Sequence, residues 1–444
     1  MRLWTGLMVG LALVTAAHAQ TDVDHRGFAQ TWRDADNRQP LPAFLTPEEE
    51  RLPRPRVPAS FRAPPTGQVY CPPEYAPAAG LFIAWEAYET ILTEMTVKIT
   101  QNDPNATVWV VVDSTSERTT ATNTLTSAGA VMSRVSFIVR VTDTVWIRDY
   151  GPRFIYEDDA RNIIDHVYNR PRPNDDAFND YLATLWGVQQ YDIPLIHGGG
   201  NFHLFGNGEA FMSSLILDEN PGLSAQDVKD LYLAYQNLDL TIYTGFPSSF
   251  DSTRHIDMWM FPLGDYKVLI GQYQPATGQP YTISEGAVTD LLGRGYTVYR
   301  TPGWKSGAHY TYTNAVILNN QCFISKFGGS YTAQDAQALA VFQSALPGYT
   351  IWQINCASII NAAGALHCIV MHVPVMPPPL TPGDMNCDGV VNLDDINPFV
   401  LALTDQAGYL AAFPDCYYLN GDCNDDGLVN FDDISPFVAL LSPS

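Results

Sequence analysis

Residues Trp146–Pro152 read WIRDYGP and directly follow a strand-like run of the sequence. Arg148 and Asp149 at the end of a strand could form a buried structural pair, so this motif alone leaves their role open. On either side of it, short β-rich runs alternate with helical patterns. The predicted strands are Val108–Asp113, Phe137–Val141, Lys267–Gly271, Tyr296–Thr301, Asn314–Asn319 and Cys322–Phe327, and the predicted helices are Tyr88–Asn102, Ala225–Gln236 and Ala333–Ala345. The alternation predicts an α/β fold and leaves the strand order open.

Two further motifs place reactive side chains next to apolar stretches. His255-Ile256-Asp257 sets an imidazole and a carboxylate two residues apart, on one face of the chain if that chain is extended. Cys368 ends the run Gly364-Ala365-Leu366-His367-Cys368. Alone, each motif could be structural, and a disulfide is a common fate of a cysteine in an exported protein. Together with Asp149 they supply a nucleophile, an acid/base group and two anchors for a cation, which are the groups needed to attack a guanidinium carbon.

The motifs also occur in a recognisable order along the chain. They are Trp146-x-Arg148-Asp149-x-Gly151-Pro152, Gly199-Gly200-Asn201, His255-x-Asp257, Asn314 and Gly364-x-x-His367-Cys368. Over residues 75–374 this order resembles the superfamily of agmatine deiminases and Porphyromonas-type peptidylarginine deiminases. The resemblance implies a pentein fold, which is a pseudo-fivefold α/β propeller of ββαβ units with its active site at the centre.

The same resemblance implies a role for each matching residue. Trp146 would pack on the substrate side chain, where a cation over an aromatic face gains about 0.5–2 kcal/mol. No cofactor is expected, because a thiol, an imidazole and two carboxylates suffice for this chemistry. The implied catalytic residues are Cys368 as nucleophile, His255 as general acid/base, Asp149 and Asp257 as the grip on the guanidinium, and Asn314 as a supporting residue.

Two arginines are informative about the substrate group that lies at the opposite end from its guanidine. Arg170 and Arg172 would be costly beside a cationic substrate unless they meet an anion. Their placement resembles the carboxylate-binding pair of the Porphyromonas-type enzymes, although a solvated surface loop fixed by two prolines is an alternative. His197–Asn201 reads HGGGN and departs from agmatine deiminases, in which an acidic residue commonly precedes the glycines. We therefore expect a peptidylarginine deiminase that prefers C-terminal arginine, with an agmatine or free-arginine deiminase as the alternative.

The N-terminus reads as a secretory signal. Residues 1–19 combine a short positive start, an apolar run and a small-residue cleavage site at Ala19, so we expect a secreted protein. Residues 20–74 are rich in Pro and Arg and predict an extended lead-in on the surface, with regular structure from about Leu81. No later stretch reaches the roughly 18–20 uninterrupted apolar residues that a membrane span needs.

The cysteine count leaves at least one thiol without an internal partner. Seven cysteines cannot all pair within the chain, so one is free or bonded to another molecule. We expect Cys322 and Cys356 to be structural, and a disulfide between them is one option.

A Pro-rich linker at residues 375–383 precedes an internal repeat in residues 384–444. Asp384–Leu403 and Asp422–Leu441 share the pattern D-x-N-x-D-G-x-V-N-x-D-D-I-x-P-F-V, which matches a calcium loop with its oxygen ligands at fixed positions. The duplicated loop, with Asp at its twelfth position, resembles a type I dockerin. That resemblance implies a small α-helical domain with two Ca²⁺ ions and a cohesin-like scaffold partner. The predicted ligands are Asp384, Asn386, Asp388, Val390, Asn392 and Asp395 in the first loop, and Asp422, Asn424, Asp426, Leu428, Asn430 and Asp433 in the second.

The charge distribution limits the classes of binding partner that the protein can have. The net charge is -23, and residues 381–444 hold eleven Asp and no Glu, Lys or Arg. Nucleic acid is disfavoured as a partner because no basic patch would neutralise its phosphates. A function of another class stays open, namely a non-catalytic calcium-dependent scaffold-binding protein whose larger domain only recognises arginine. It would require Cys368, His255 and Asp149 to be inert.

Overall fold

The computed structural model describes residues 40–58, 61–376, 380–413, 416–424 and 428–441. The predicted signal peptide at residues 1–19, the lead-in up to residue 39 and linker residues 377–379 lie outside this part of the chain. The strands are β1 (Val69–Tyr70), β2 (Ala78–Ala84), β3 (Thr107–Val112), β4 (Val135–Val139), β5 (Arg153–Glu157), β6 (Ala160–Tyr168), β7 (Gln190–His197), β8 (His203–Leu204), β9 (Glu209–Ser213), β10 (Asp239–Tyr243), β11 (Met260–Gly264), β12 (Lys267–Gln272), β13 (Thr297–Ser306), β14 (Ala308–Thr311), β15 (Val316–Leu318), β16 (Gln321–Lys326), β17 (Thr350–Asn355) and β18 (Met371–Pro374). The α-helices are Glu89–Asn102, Thr115–Ala128, Ile147–Tyr150, Pro173–Asp176, Phe178–Trp186, Leu215–Glu219, Ala225–Gln236, Gln279–Gly293, Thr332–Ala345, Ile396–Thr404, Gln406–Ala412 and Ile434–Leu441.

The described strands form five small sheets that repeat one unit. Their strand orders are β1-β5-β6-β7, β10-β9-β8, β11-β12-β13-β14, β15-β16-β17 and β18-β2-β3-β4. Each sheet contains an antiparallel pair followed through a helix by a parallel strand, as in β15, β16 and β17. In the fifth unit β18 closes the ring by pairing with β2. The fivefold ββαβ repeat confirms the α/β propeller expected from the sequence.

Apolar runs explain why these segments are strands of a buried sheet. β3 reads TVWVVV and is paired in parallel on both sides, by β2 and β4. Val108, Val110, Val111 and Val112 are all buried, as expected for a parallel strand covered on both faces. The helix Glu89–Asn102 buries a stripe of side chains against the same core.

The segments that carry the sequence motifs occupy equivalent places in the five units. Each lies just before the first strand of the antiparallel pair in its unit. The five segments are Ile147–Tyr150 before β5, Gly199–Asn201 before β8, Ile256–Met258 before β11, Asn314 before β15 and His367–Ile369 before β18. Equivalent positions around a ring meet at its centre, so the fold brings together residues that are far apart in sequence.

Most predicted elements lie within a few residues of the observed ones, and Ala225–Gln236 agrees at both ends. The extended geometry considered for His255 to Asp257 is wrong. Ile256–Met258 forms a single 3₁₀ turn, so His255 and Asp257 do not lie on one face of a strand. A one-turn helix this short is set by its tertiary contacts rather than by local periodicity.

The described part of the lead-in differs from an extended surface segment. Glu49–Arg51 forms a 3₁₀ turn, and Ala43 and Glu49 are only 1% and 4% exposed. Regular structure begins before Leu81, because Val69–Tyr70 adds a strand to the edge of a sheet. The sequence prediction failed here because the prolines disfavour long helices and central strands but do not prevent a short turn, a short edge strand or packing against the core.

The C-terminal repeat is visible as two matching loop–helix pairs. In the first, the Asp395 carboxylate accepts hydrogen bonds from the backbone N–H groups of Met385, Asn386 and Asn392. In the second, the Asp433 carboxylate accepts from those of Cys423, Asn424 and Asn430. The helices that follow stack Phe399 on Phe437, and a disulfide joins Cys387 to Cys416. None of the helices in the described part of the chain has the length and apolarity needed to cross a membrane.

Candidate active site

Asn314 holds the loop that carries the predicted nucleophile. Its Oδ1 accepts the backbone N–H groups of Ala365 and His367 at 3.1 and 3.0 Å. Its Nδ2 donates to Cys368 Sγ at 3.1 Å and to Asp257 Oδ2 at 2.9 Å. One amide side chain therefore fixes the thiol loop and joins it to a carboxylate, so Asn314 is in place for the supporting role expected of it.

Asp149, His255 and Asp257 converge on Gly200. A Cβ atom at Gly200 would lie 2.7 Å from His255 Nδ1, 2.9 Å from Asp149 Oδ1 and 3.0 Å from Asp257 Oδ2. These distances are too short for a carbon, so only glycine fits here. The Gly200 N–H donates to Asp149 Oδ1 at 3.0 Å. The thiol completes the group, because the Cys368 S–H reaches Asp257 Oδ2 at 3.5 Å.

Three polar atoms of this group have no hydrogen-bond partner among the described residues. They are Asp149 Oδ2, Asp257 Oδ1 and His255 Nε2, and all three are buried. A buried polar group without a partner costs about 1–3 kcal/mol, so proteins seldom retain one without a functional reason. Two carboxylate oxygens and one imidazole nitrogen match a planar cation that carries several N–H donors.

The pKa of the Cys368 thiol is raised well above its ordinary value. Burial makes the largest contribution, followed by the negative charges of Asp257 and Asp149. The thiol is only 1% exposed. A cation bound between the two carboxylates would cancel their effect and favour the thiolate.

The sequence analysis did not identify Glu74, which supports the loop around Cys368 by bonding His367. His367 donates from Nδ1 to Asp257 Oδ2 at 2.8 Å and from Nε2 to Glu74 Oε2 at 2.9 Å. Burial and Arg148 oppose the imidazolium, but Glu74 and Asp257 outweigh them and raise the pKa of His367. The signal for His367 was its place directly before Cys368, whereas nothing in the sequence connects Glu74 to the site.

Glu74, His203 and His367 also offer atoms that could hold a metal, since these atoms lie within 4.8 Å of one another. However, Arg148 and His367 already bond Glu74, and both are cations competing for its carboxylate. A metal would also need a deprotonated His367, which its raised pKa disfavours. We assign this cluster to positioning the loop around Cys368.

Glu219 was missed as well. It accepts a hydrogen bond from Asn169 Nδ2 at 2.6 Å, and its buried Oε2 has no partner among the described residues. Burial raises its pKa to about 7, despite the opposing charges of Arg170 and His255. Glu219 can therefore gain or lose a proton near neutral pH beside the site.

The predicted substrate-binding residues, Trp146, Arg170 and Arg172, all bond the lead-in. The ring of Trp146 packs so closely on Gly364 that a Cβ there would be 2.4 Å from Trp146 Cζ3. Arg170 and Arg172 are buried side chains, 7% and 2% exposed, which excludes the solvated-loop alternative. Arg172 Nε donates to Glu49 Oε1 at 2.8 Å, so in this structure it pairs with a carboxylate of the chain itself.

Cys322 and Cys356 are buried free thiols, so the disulfide considered between them is absent from the described structure. They sit near opposite ends of a parallel strand pair. Cys322 lies opposite Ile351, whereas the Cys356 N–H donates to Lys326 O. Four residues along a strand span about 13 Å, well beyond the Cα separation that a disulfide tolerates.

The predicted calcium ligands that the structure describes lie in two loops. Asp384 Oδ2 accepts the Gly389 N–H at 2.9 Å, while its buried Oδ1 has no partner among the described residues. A buried carboxylate oxygen without a partner is suited to bind a cation in the first loop. Asp426 of the second loop lies outside the described residues.

The sequence profile of the Porphyromonas-type peptidyl-arginine deiminase family matches residues 70–374. A curated relative from Marinomonas sp. (strain MWYL1), named "Putative agmatine deiminase", is 24% identical over 292 residues, covering 55% of this chain and 78% of the relative. The solved agmatine deiminase of Enterococcus faecalis superposes with a TM-score of 0.62 at 18% identity, covering 72% of this chain and 99% of that one. The solved C. Jejuni agmatine deiminase superposes with a TM-score of 0.59 at 18% identity, covering 69% of this chain and 96% of that one.

Fold and family profile together define the class of protein, which is an amidine hydrolase that acts on guanidino groups. Within that class, the chain belongs to the Porphyromonas-type peptidyl-arginine deiminase family.

Proposed function

We propose that the protein hydrolyses peptidyl arginine, preferentially at a C-terminus, to peptidyl citrulline and ammonia. The observation that carries the proposal is the set of unpaired buried atoms on Asp149, His255 and Asp257 beside the Cys368 thiol. A guanidinium would give each carboxylate oxygen an N–H donor and hold its carbon close to the sulfur. A guanidinium thus meets both needs of the site, since its N–H groups satisfy the two carboxylates and its carbon is electrophilic.

The reaction would proceed in two halves. His255 takes the proton of the Cys368 S–H, the thiolate attacks the guanidino carbon and forms a C–S bond, and one C–N bond breaks as ammonia leaves with that proton from His255. A covalent thiouronium remains on Cys368. His255 then takes a proton from water, and the resulting hydroxide attacks the same carbon. The C–S bond breaks, His255 returns its proton to the thiolate, and the ureido product leaves after giving its extra proton to the released ammonia.

Binding and activation of the nucleophile would be coupled. The charges of Asp257 and Asp149 help to raise the pKa of Cys368, and the substrate cation would neutralise both. Deprotonation would then be favoured only when a guanidinium is bound, which protects the thiol between turnovers.

The preference for a terminal carboxylate rests on Arg170 and Arg172. The bond between Arg172 and the Glu49 carboxylate supports it, because a carboxylate is the partner that this buried side chain already holds. Agmatine lacks this anion, and free arginine carries it beside an ammonium. Agmatine deiminase is the alternative that the name of the Marinomonas relative favours.

A peptide ending in arginine, compared as free acid and as amide, tests this preference. Amidation should lower kcat/KM by an amount equivalent to about 2–4 kcal/mol of transition-state binding, because a buried cation loses its partner. In Arg170→Ala/Arg172→Ala the two peptides should react at the same rate. Equal kcat/KM values in the wild type would remove the pair from substrate binding and favour agmatine. An enzyme that releases no ammonia from any arginine compound would instead support the non-catalytic alternative.

We also propose that residues 384–444 bind two Ca²⁺ ions and, as in the dockerins they resemble, a cohesin-like partner, and that residues 1–19 direct secretion. The orphaned Asp384 Oδ1 supports the calcium site. Calorimetric titration of the full chain with Ca²⁺ tests the calcium sites. It should show two bound ions, and Asp384→Asn should remove one of them. Asp405→Asn is the matched control, because Asp405 caps a helix outside the loops. Ammonia release should persist in chelator. A titration that shows no calcium binding would contradict the proposal, and N-terminal sequencing of exported protein would test the cleavage after Ala19.

A further inference from the structure

Side chains and backbone of the larger domain bind consecutive backbone groups of the lead-in. The carbonyl oxygens of Leu41, Pro42 and Ala43 accept hydrogen bonds from Trp146 Nε1 at 2.8 Å, Arg172 Nη2 at 2.8 Å and Arg170 Nε at 3.1 Å, respectively. The Ala43 N–H donates to Ala362 O at 2.9 Å. Consecutive backbone groups are thus read by side chains and backbone of the domain, which is how proteins hold extended peptides.

The groups that hold this segment border the thiol. Trp146 packs on Gly364, and a Cβ at Gly364 would lie 3.2 Å from Cys368 Cβ. Ala362 lies on the same loop, two residues before Gly364. Asn169, next to Arg170, packs against Gly198 at the start of the Gly-rich turn. The segment is therefore connected to the thiol through Trp146 and the loop at Gly364, and Cys368 is only 1% exposed.

Glu49 anchors the segment through a buried ion pair. Its carboxylate lies 2.8 and 3.3 Å from two nitrogens of Arg172, and both side chains are 2% exposed. Thr46 holds the glutamate in place, since its N–H donates to Glu49 Oε2 at 2.8 Å. Burial opposes the charge, but Arg172 and Thr46 outweigh burial and lower the pKa of Glu49. The glutamate thus stays ionised at neutral pH.

We propose that residues 41–49 are a tethered occupant of the peptide-binding entrance to the site, with the Glu49 carboxylate in the place of a substrate carboxylate. The proposal rests on the proposed function in one respect, namely that the peptide which displaces the segment is the substrate. The chain just beyond the anchor can be cut to release the segment, because Arg51 and Arg56 are exposed, are not followed by proline, and offer cleavage points to a trypsin-like protease. While the segment is bound, the enzyme is restrained, and displacement or cleavage opens the site.

Alkylation of Cys368 by iodoacetamide, followed by mass spectrometry of the full chain, tests the occlusion without requiring activity. Glu49→Gln weakens the anchor and should speed alkylation of Cys368 by about tenfold or more, because a buried charge pair is lost. Glu50→Gln is the matched control, since it removes the same charge from an exposed neighbour. Cys322, also buried and free, reports any general loosening within the same sample. Equal rates at Cys368 in the wild type and both variants would overturn the proposal.

A locked variant keeps the proposal testable if Glu49→Gln does not fold. Ala43→Cys/Ala362→Cys places two thiols at a backbone contact of 2.9 Å, where oxidation should tie the segment down. Cys368 alkylation and kcat/KM for the C-terminal arginine peptide should fall at least about tenfold on oxidation and recover with reductant, while the wild type treated in the same way is unchanged. Full accessibility and activity in the locked form would refute the occluding role. If alkylation follows the lock but no ammonia is released in any form, the occlusion stands and the proposed deiminase function fails.

Discussion

Cys368→Ala should abolish ammonia release, with a loss on the order of 10⁴-fold or more, because nothing else can form the C–S bond. The fold should be retained. The side chain is held in a preformed loop by Asn314, whose bonds to the backbone of Ala365 and His367 do not involve the sulfur. The free energy of unfolding should fall only by the amount expected for one lost sulfur atom, about 1–2 kcal/mol.

Cys322→Ala provides the matched control for that variant. Cys322 is equally buried and free, and burial raises the pKa of its thiol too, but it lies inside β16. Its loss should lower stability by a similar amount and leave kcat unchanged. Wild-type turnover in Cys368→Ala, or inactivation by Cys322→Ala without unfolding, would contradict the assignment of the nucleophile.

Asp257→Asn should produce the second largest effect. Asp257 accepts from Asn314 and His367 through Oδ2, and its Oδ1 has no partner among the described residues, so under the proposed function its charge would serve the loop and the guanidinium together. Removing one partner of a buried charge pair costs about 3–5 kcal/mol, which corresponds to a fall of kcat/KM of roughly 10²–10⁴-fold.

A pH profile separates this role from simple destabilisation. The Asp257 carboxylate helps to raise the pKa of Cys368, so its neutralisation should lower that pKa and shift alkylation of Cys368 to lower pH. Asp335→Asn is the control, because Asp335 is a buried carboxylate that bonds Tyr312 and the backbone of Phe327 and Gly328. It should weaken the fold without moving the alkylation profile. An unchanged profile in Asp257→Asn would mean that Asp257 does not act on the thiol.

The sequence was informative where local pattern determines structure. The helix Ala225–Gln236 begins with Ser224 and Asp227 in a reciprocal capping arrangement, so its bounds follow from its own residues. The catalytic set could be proposed because Asp149, His255, Asp257, Asn314 and Cys368 fall in motifs of a known order. The fivefold ring then explains how residues so far apart in sequence meet.

What could not be predicted depends on contacts between distant segments. Glu74 meets Arg148 and His367 across separations of 74 and 293 residues, and Glu49 meets Arg172 across 123. Neither glutamate lies in a motif, and both sit in a Pro-rich stretch that resembles an ordinary surface lead-in. Likewise, the 3₁₀ turn at Ile256–Met258 has no periodicity of its own to reveal it.

Under the proposed function, Cys368 forms a covalent bond with the guanidino carbon of the substrate. Mass spectrometry of enzyme quenched during turnover of a C-terminal arginine peptide detects this bond. We expect an adduct on the peptide containing Cys368, with the mass of the substrate less ammonia, and no adduct in Cys368→Ala. Turnover with no adduct on Cys368, or with an adduct on another cysteine, would contradict it.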